Sequence, residues 1–435
     1  MNDSRTPTPR LGTADSVTPV ATDARRTGLA STAQARPGAG GAGREQRVAV
    51  GRLPLLAGGA LALVAGLWGG LGLLEVGPAV PRAGFAAQHG PLMALGFLGT
   101  LIALERAVAV RRVWAYAAPA LAGAGAIALA VGFAPVGRWA LTAAAGWLIA
   151  VYVVVVLERR PGREVIVQMA GAVAWYAGGL LWIRGHQVAD LVPWMMAFLV
   201  LTIAGERLEL ARVAFLRRRA SDGLMATAGL LTAGVLISVP QPGAGWRITG
   251  MGMLALAVWL GVYDVARRTV RGSGLPRYAA VCLLSGYGWL AVGGMLWMIA
   301  GRPDGEFYDA ALHAVFLGFV MSMVFGHAPV ILPAVLRVRL PYRPVLYAPL
   351  ALLHVALLVR VAGDLAGIAA GRALGGVLGE LALAGFVACA AGAALLSRSQ
   401  GSGSRGSASQ DSLSQGSPSR SPRSRDSGSR SMESS

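Results

Sequence analysis

The chain is dominated by apolar runs of about 20 residues, which recur from Leu53 onward. A run of this length crosses the hydrocarbon core of a bilayer as an α-helix. Helices satisfy their own backbone hydrogen bonds, which a lipid environment requires. The pattern therefore predicts an all-α, polytopic membrane protein of about twelve transmembrane helices, at roughly residues 53–74, 89–110, 113–134, 138–157, 164–184, 190–210, 223–240, 246–266, 278–300, 309–332, 345–362 and 373–396.

The two ends of the chain have a different composition. Residues 1–48 are rich in Thr, Ala, Arg, Pro and Gly, and residues 398–435 form a Ser/Arg/Gly tract. Such segments lack the apolar surface that would offset the entropy of folding, which predicts disordered tails. Residues 49–397 then form the twelve-helix transmembrane domain.

Charge adds an orientation to this topology. Charged residues make up 14% of the chain, and the net charge is +18. The predicted loops on one side of the membrane carry 18 arginines and those on the other side carry 7, among them Arg360. The positive-inside rule then predicts a multi-pass protein of the cytoplasmic membrane with both termini in the cytoplasm. The same distribution explains the positive charge without a nucleic-acid partner, and the expected partner is the lipid bilayer.

Three segments share a pattern that indicates an internal repeat. Span 2 reads GFLGTLIALER, span 6 reads AFLVLTIAGER and span 10 reads GFVMSMVFGHA, aligned on Phe97, Phe198 and Phe319. An ionisable residue follows eight positions later in each. Because the segments are four spans apart, we expect three pseudo-repeated four-helix arcs with spans 2, 6 and 10 in equivalent places. The alternative is chance similarity among helices rich in Gly, Leu and Phe.

Two histidines are candidate cofactor ligands. His89 opens span 2, and His313 lies about one turn into span 10, so the topology places both near the periplasmic side. Neutral imidazoles are common axial ligands of haem iron, and two facing histidines form a six-coordinate site suited to electron transfer. The alternatives are an interfacial His89 bonded to water and a packing His313 bonded to a backbone carbonyl.

A second group lies deeper along the same spans. His327 follows His313 by fourteen residues, which returns it to within about 40° of the same helix face, roughly 21 Å along the axis. If the repeat is present, His327 shares a level with Glu105 and Glu206. These residues are candidates for a cation or proton site, with His327 also a candidate metal ligand. The alternative is ion pairing of each glutamate with a nearby arginine.

Two histidines remain. His354 lies in the middle of span 11, where an ionisable residue is a functional hypothesis by default. It is a candidate member of the proton or cation site, and the alternative is a buried histidine bonded to a neighbouring helix. His186 lies in a loop, and we assign it no role.

These residues resemble a known architecture. Twelve spans in three arcs, with spans 2, 6 and 10 central, resemble the catalytic subunit of the haem–copper oxidases. The segment HGPLMALGF is similar to that family's span 2, whose histidine ligates the low-spin haem, and His313 stands in span 10, which supplies the opposite ligand there. The stretch HAVFLGFVMSMVFGHAPVILP is also similar to the NnrS family, reduced membrane haem proteins linked to nitric-oxide stress.

The resemblance has a limit at the copper site. The oxidases hold copper with histidines of spans 6 and 7, whereas span 6 of this chain carries Glu206, Arg207 and Glu209, and span 7 has no histidine. The resemblance therefore implies haem between His89 and His313 without copper. It implies electron transfer, or the sensing or detoxification of a small gas such as nitric oxide, with a redox partner protein. The alternative function is a cofactor-free transporter or channel with a path lined by Glu and His.

Overall fold

A computed structural model describes residues 51–76, 84–159, 162–213, 218–336 and 341–414. These residues contain twelve helices that are long and apolar enough to cross a membrane, which confirms the predicted all-α, multi-pass membrane fold. Spans 1 to 12 are Leu53–Leu73, His89–Val110, Val113–Ala130, Ala134–Glu158, Arg163–Ile183, Val188–Leu210, Ala220–Ile237, Pro242–Tyr263, Gly274–Ala300, Phe307–Pro333, Pro344–Leu365 and Ala369–Leu396.

Several helices extend beyond these apolar windows, and short pieces join them. The longer helices run over Ala134–Arg159, Val188–Val213 and Arg218–Ile237, and the helical stretch of span 10 runs from Gly305 to Leu336. Short turns of helix occur at Gly84–Ala87 and Ala266–Thr269, and 3₁₀ turns at Val113–Tyr116 and Pro344–Leu346 open spans 3 and 11.

The last helix runs over Ala369–Ser414, past the end of the apolar run. Residues 398–414 are therefore helical here, where their composition predicts a disordered tail. Extending an existing helix adds one hydrogen bond for each residue fixed and avoids the cost of nucleation, so a poor helix-forming sequence can continue from a stable span. The N-terminal tail predicted at residues 1–48 and the end of the C-terminal tail at residues 415–435 lie outside the described residues.

Span 6 lies at the centre of the bundle. It is the most buried span, with 83% of its apolar window inside the protein, against 28% for spans 1 and 12. Glycines allow neighbouring helices to approach closely, because a side chain would fill the space between them. A Cβ at Gly58 of span 1, for example, would lie 3.2 Å from the Cα of Gly123 in span 3.

Spans 2 and 10 are interrupted by π-helix at equivalent positions. The π-helical segments are Leu92–Leu98 and Ala314–Met321, and they begin at the same position of the sequence alignment on Phe97 and Phe319. Span 6 remains α-helical, but Pro193 stands at that same position. Each of the three helices therefore departs from the regular α-helical hydrogen-bond pattern at one equivalent place, which supports the predicted repeat.

Hydrogen bonds beside the π-helical segments follow the same register. Thr100 donates its hydroxyl to the Gly96 carbonyl at 2.5 Å, and the equivalent Ser322 donates to the equivalent Gly318 carbonyl at 2.6 Å. Hydroxyl groups in helices often bond to the carbonyl four residues earlier.

Even-numbered spans all run in one direction, so the bundle has a His89 end, where spans 2, 6 and 10 begin, and a Glu105 end, where they finish.

Candidate functional site

His89 opens span 2 and packs on a glycine face of span 1. Its Nδ1 lies 2.6 Å from the Gly66 carbonyl oxygen. A Cβ at Gly70 would lie 3.0 Å from Cε1 of the imidazole, so only glycine leaves the ring its space. Within the described part of the chain, no hydrogen bond engages Nε2. The ring is therefore oriented through Nδ1–H, with Nε2 available to a ligand.

His313 is held in a comparable way by its own helix. Its Nδ1 lies 2.9 Å from the Asp309 carbonyl oxygen and 3.2 Å from Asp309 Oδ1. The residues that the structure describes make no hydrogen bond to its Nε2 either. Histidines that bind metals usually donate the other ring N–H to a carbonyl or a carboxylate, which fixes the tautomer. Both His89 and His313 have this arrangement.

Asp309 links His313 to span 11. Arg360 donates from Nε to Asp309 Oδ2 at 2.9 Å and from Nη2 to Oδ1 at 3.2 Å, a bidentate ion pair. Arg360 is 8% exposed. The sequence analysis placed this arginine among the topogenic loop charges, but it is buried within span 11 and paired with an acid of span 10. Its partner lies 51 residues away, a distance over which no local pattern indicates a contact.

The two imidazoles lie at the same end of spans 2 and 10. Spans 2 and 10 pack on each other through Gly99–Val110 and Ser322–Leu336, toward the Glu105 end. Their π-helical segments pack instead on span 6 and, among the described helices, do not form a close pair with each other. His89 is nevertheless near enough to His313, Asp309 and Arg360 for electrostatic interaction.

Two further acids complete what we term the His89 cluster: His89, Asp309, His313, Arg360, Asp364 and Glu380. Asp364 is 3% exposed, and both of its carboxyl oxygens are buried without a hydrogen-bond partner in the described residues. A Cβ at Gly70 would lie 3.5 Å from Oε1 of Glu380 in span 12, beside the His89 ring. Sequence reasoning missed all four non-histidine members, although Asp364 and Glu380 are acids within apolar runs, a signal that could have identified them.

The Glu105 end is organised around Arg106. Its Nη2 donates to Glu105 Oε1 and to Glu206 Oε1, each at 3.1 Å, and its Nη1 donates to Gln168 Oε1 at 3.2 Å. Glu209 Oε2 lies 4.0 Å away. The structure thus brings together Glu105 and Glu206, as predicted from their register. It pairs them through an arginine, which matches the ion-pairing alternative.

His327 also lies at this level, and its partner is Arg207. The Nη2 of Arg207 bonds to Nε2 of His327, and the Nδ1 of His327 lies 2.9 Å from the Met323 carbonyl oxygen. Both ring nitrogens are therefore engaged, which leaves neither free for a metal in this arrangement. These two arginine contacts are equivalent in the alignment of the repeats. Each arginine bonds to a residue of the next repeat, the one that stands eight positions after the aligned phenylalanine. Arg106 reaches Glu206 in this way, and Arg207 reaches His327.

His354 lies apart from both groups. Trp289 Nε1 donates to its Nδ1 at 3.0 Å, and Nε2 is buried without a partner in the described residues. This matches the alternative of a buried histidine bonded to a neighbouring helix. His186 is exposed in the loop that joins spans 5 and 6. Within the described ranges, no three His, Cys, Asp or Glu side chains form a group that could hold a metal ion.

The family comparison covers most of the molecule. Residues 52–395 match the model of the Domain of unknown function (DUF8744). No curated protein and no solved structure matches the chain. The match begins just before span 1 and ends within span 12, so it includes both groups of polar residues. The chain therefore belongs to the DUF8744 family.

Proposed function

We propose that this protein is a membrane haem-binding protein in which His89 and His313 would hold the iron, and that it serves electron transfer or the response to nitric oxide or redox stress. The observation that carries the proposal is that the two imidazoles have the same hydrogen-bond arrangement. Each is oriented by Nδ1 on a carbonyl oxygen, and each keeps Nε2 free of hydrogen bonds within the described residues.

The surroundings of the imidazoles support a cofactor between them. Their helices pack together at the Glu105 end and are joined through span 6 at the His89 end. The ring of His89 rests in a space that Gly70 leaves open. π-Helical segments, which are frequent at functional sites, begin three residues after His89 and directly after His313. When bound, haem would supply one-electron chemistry.

The chain's own residues have defined tasks in this proposal. His89 and His313 bind and orient the group, and the Gly66 and Asp309 carbonyl oxygens fix their tautomers. The half-buried position of both rings within a twelve-helix bundle limits access of water. Arginine-rich loops support placing the Glu105 end at the cytoplasmic face and the His89 end toward the periplasm. A soluble redox partner would then approach the His89 end.

The proposal is tested by the absorption spectrum of the full-length protein, expressed with ample haem and purified in detergent. We expect a red protein with a Soret band that shifts on reduction. His89→Ala and His313→Ala should each abolish the low-spin spectrum, because each removes one axial ligand. The matched control is His186→Ala, which removes an exposed loop histidine and should leave the spectrum unchanged.

Two results would overturn the proposal. A colourless wild-type protein would leave the cofactor-free transporter or channel as the better hypothesis. A red protein whose spectrum is unaffected by both substitutions would show that the iron is ligated elsewhere.

A further inference from the structure

We propose that Asp309 is a positioning residue that makes His313 a stronger electron donor than His89. This inference rests on the proposed haem site, and it concerns the groups behind the two ligands. It predicts a chemically unequal pair of axial imidazoles, in which Asp309 and Arg360 set the properties of one side.

One of the two contacts behind His313 is anionic. The Nδ1–H donates to the Asp309 carbonyl oxygen at 2.9 Å, and Asp309 Oδ1 lies 3.2 Å from Nδ1 as a close electrostatic contact. The carboxylate therefore lies directly behind the imidazole, four residues earlier on the same helix, where i and i+4 side chains meet.

Arg360 holds this carboxylate in place. Its guanidinium donates to Asp309 through Nε to Oδ2 at 2.9 Å and through Nη2 to Oδ1 at 3.2 Å. A bidentate ion pair fixes the orientation of a carboxylate more firmly than a single contact. Arg360 also offsets the cost of burying the charge of Asp309, since an unpaired ion at this depth would be strongly destabilising. The pair is thus built to keep a charged acceptor behind His313.

His89 has no equivalent group in the described structure. Its Nδ1 bonds to the neutral Gly66 carbonyl oxygen at 2.6 Å. Glu380 lies beside Gly70 and the ring but makes no hydrogen bond to the imidazole among the described residues. A carboxylate close to Nδ1 attracts its proton and makes an imidazole a stronger electron donor through Nε2. If haem is held as proposed, His313 would therefore be the stronger donor of the two histidines, and its contribution would favour the ferric state.

The first test compares Asp309→Asn with Asp190→Asn in the full-length, haem-loaded protein. Each substitution replaces one arginine-paired acid at the His89 end by its amide, but only Asp309 contacts an imidazole. We expect Asp309→Asn to raise the midpoint potential and to weaken haem binding roughly 10- to 100-fold when haem is titrated into the depleted protein. Asp190→Asn should change neither by a comparable amount.

The second test can be made on the wild-type protein alone. Pulsed electron paramagnetic resonance of the ferric wild-type protein, with ¹⁵N-labelled histidine, should detect two axial imidazoles with unequal nitrogen couplings. In Asp309→Asn the two couplings should become more alike. This measurement keeps the inference testable even if the Asn variant fails to fold.

The outcomes separate the inference from the function on which it rests. If wild-type protein binds haem and Asp309→Asn leaves affinity and potential unchanged, the positioning role is wrong and the haem site stands. If Asp190→Asn produces an equal shift, the effect is through-space charge, and the positioning role is again wrong. Equal couplings in the wild-type protein would contradict it directly. If the wild-type protein binds no haem, both the haem site and the positioning role of Asp309 are wrong.

Discussion

The two ends of spans 2, 6 and 10 use their histidines differently. At the Glu105 end, Arg106 is bonded to two glutamates and a glutamine, and His327 uses both ring nitrogens. At the His89 end, two imidazoles each keep one nitrogen free within the described residues. Buried polar groups normally find partners inside the protein. The fully bonded ring of His327 therefore indicates a structural role, and the matched free Nε2 atoms of His89 and His313 indicate a ligand site.

The sharpest way to break this comparison uses two histidines of one helix. His313→Ala should remove the low-spin haem spectrum completely, whereas His327→Ala should retain it, because Nε2 of His327 is already bonded to Arg207. The measurement is the absorption spectrum of the oxidised and reduced protein. Loss of the spectrum in His327→Ala alone would reverse the roles that we assign to the two ends.

The next largest effect concerns stability at the Glu105 end. Arg106 and Glu206 are 15% and 16% exposed, so Arg106→Ala leaves a buried carboxylate without its partner. We expect it to lower the free energy of unfolding by about 3–5 kcal/mol. The measurement is denaturation in detergent, followed by circular dichroism.

A matched control for Arg106 is Arg112→Ala. The pair Arg112–Glu158 is 49% and 46% exposed, so its loss should cost only about 0–1 kcal/mol. Equal losses in Arg106→Ala and Arg112→Ala would show that the Glu105 end is no tighter than a surface ion pair.

A smaller effect is expected at the glycine behind His89. A Cβ from Gly70→Ala would lie 3.0 Å from Cε1 and 3.2 Å from Nδ1 of His89, so the imidazole must shift by a few tenths of an ångström. Haem affinity should fall roughly 10-fold, as for other changes behind a ligand. Gly288→Ala, which has open space around its Cβ, is the control and should bind haem as the wild type does. Identical affinities in both variants would argue against the proposed position of the cofactor.

The smallest effect is expected for His354→Ala. This change removes the acceptor of the Trp289 indole N–H, which should cost about 1 kcal/mol of stability. The haem spectrum should not change, because His354 belongs to neither end of spans 2, 6 and 10. A spectral change as large as that of His313→Ala would place His354 among the ligands.

The candidate site was predictable in part. The register of Phe97, Phe198 and Phe319 placed Glu105, Glu206 and His327 at one level, and the charge network there lies at that level. The start of spans 2 and 10 placed His89 and His313 at one end. The environment of these residues was not predictable, because Arg360 was counted as a loop charge and Asp309 was not considered.

The internal repeat, too, was predictable from sequence only in part. Sequence similarity indicates that spans 2, 6 and 10 are equivalent, but it gives no sign that Leu92–Leu98 and Ala314–Met321 are π-helical. A π-helical segment differs from α-helix by a single residue in its hydrogen-bond pattern. Local apolar periodicity is compatible with either, so the packing around each helix decides between them.

The sequence alone determined the number of spans, their limits and the ends at which histidines and glutamates lie. These properties follow from the length of apolar runs and from the rise of an α-helix, both of which are local. Only the tertiary structure decided which group faces which. Arg106 bonds to Glu206, and Arg360 bonds to Asp309, because neighbouring helices bring together residues far apart in the chain, and the bundle interior offers a buried charge no water as a substitute.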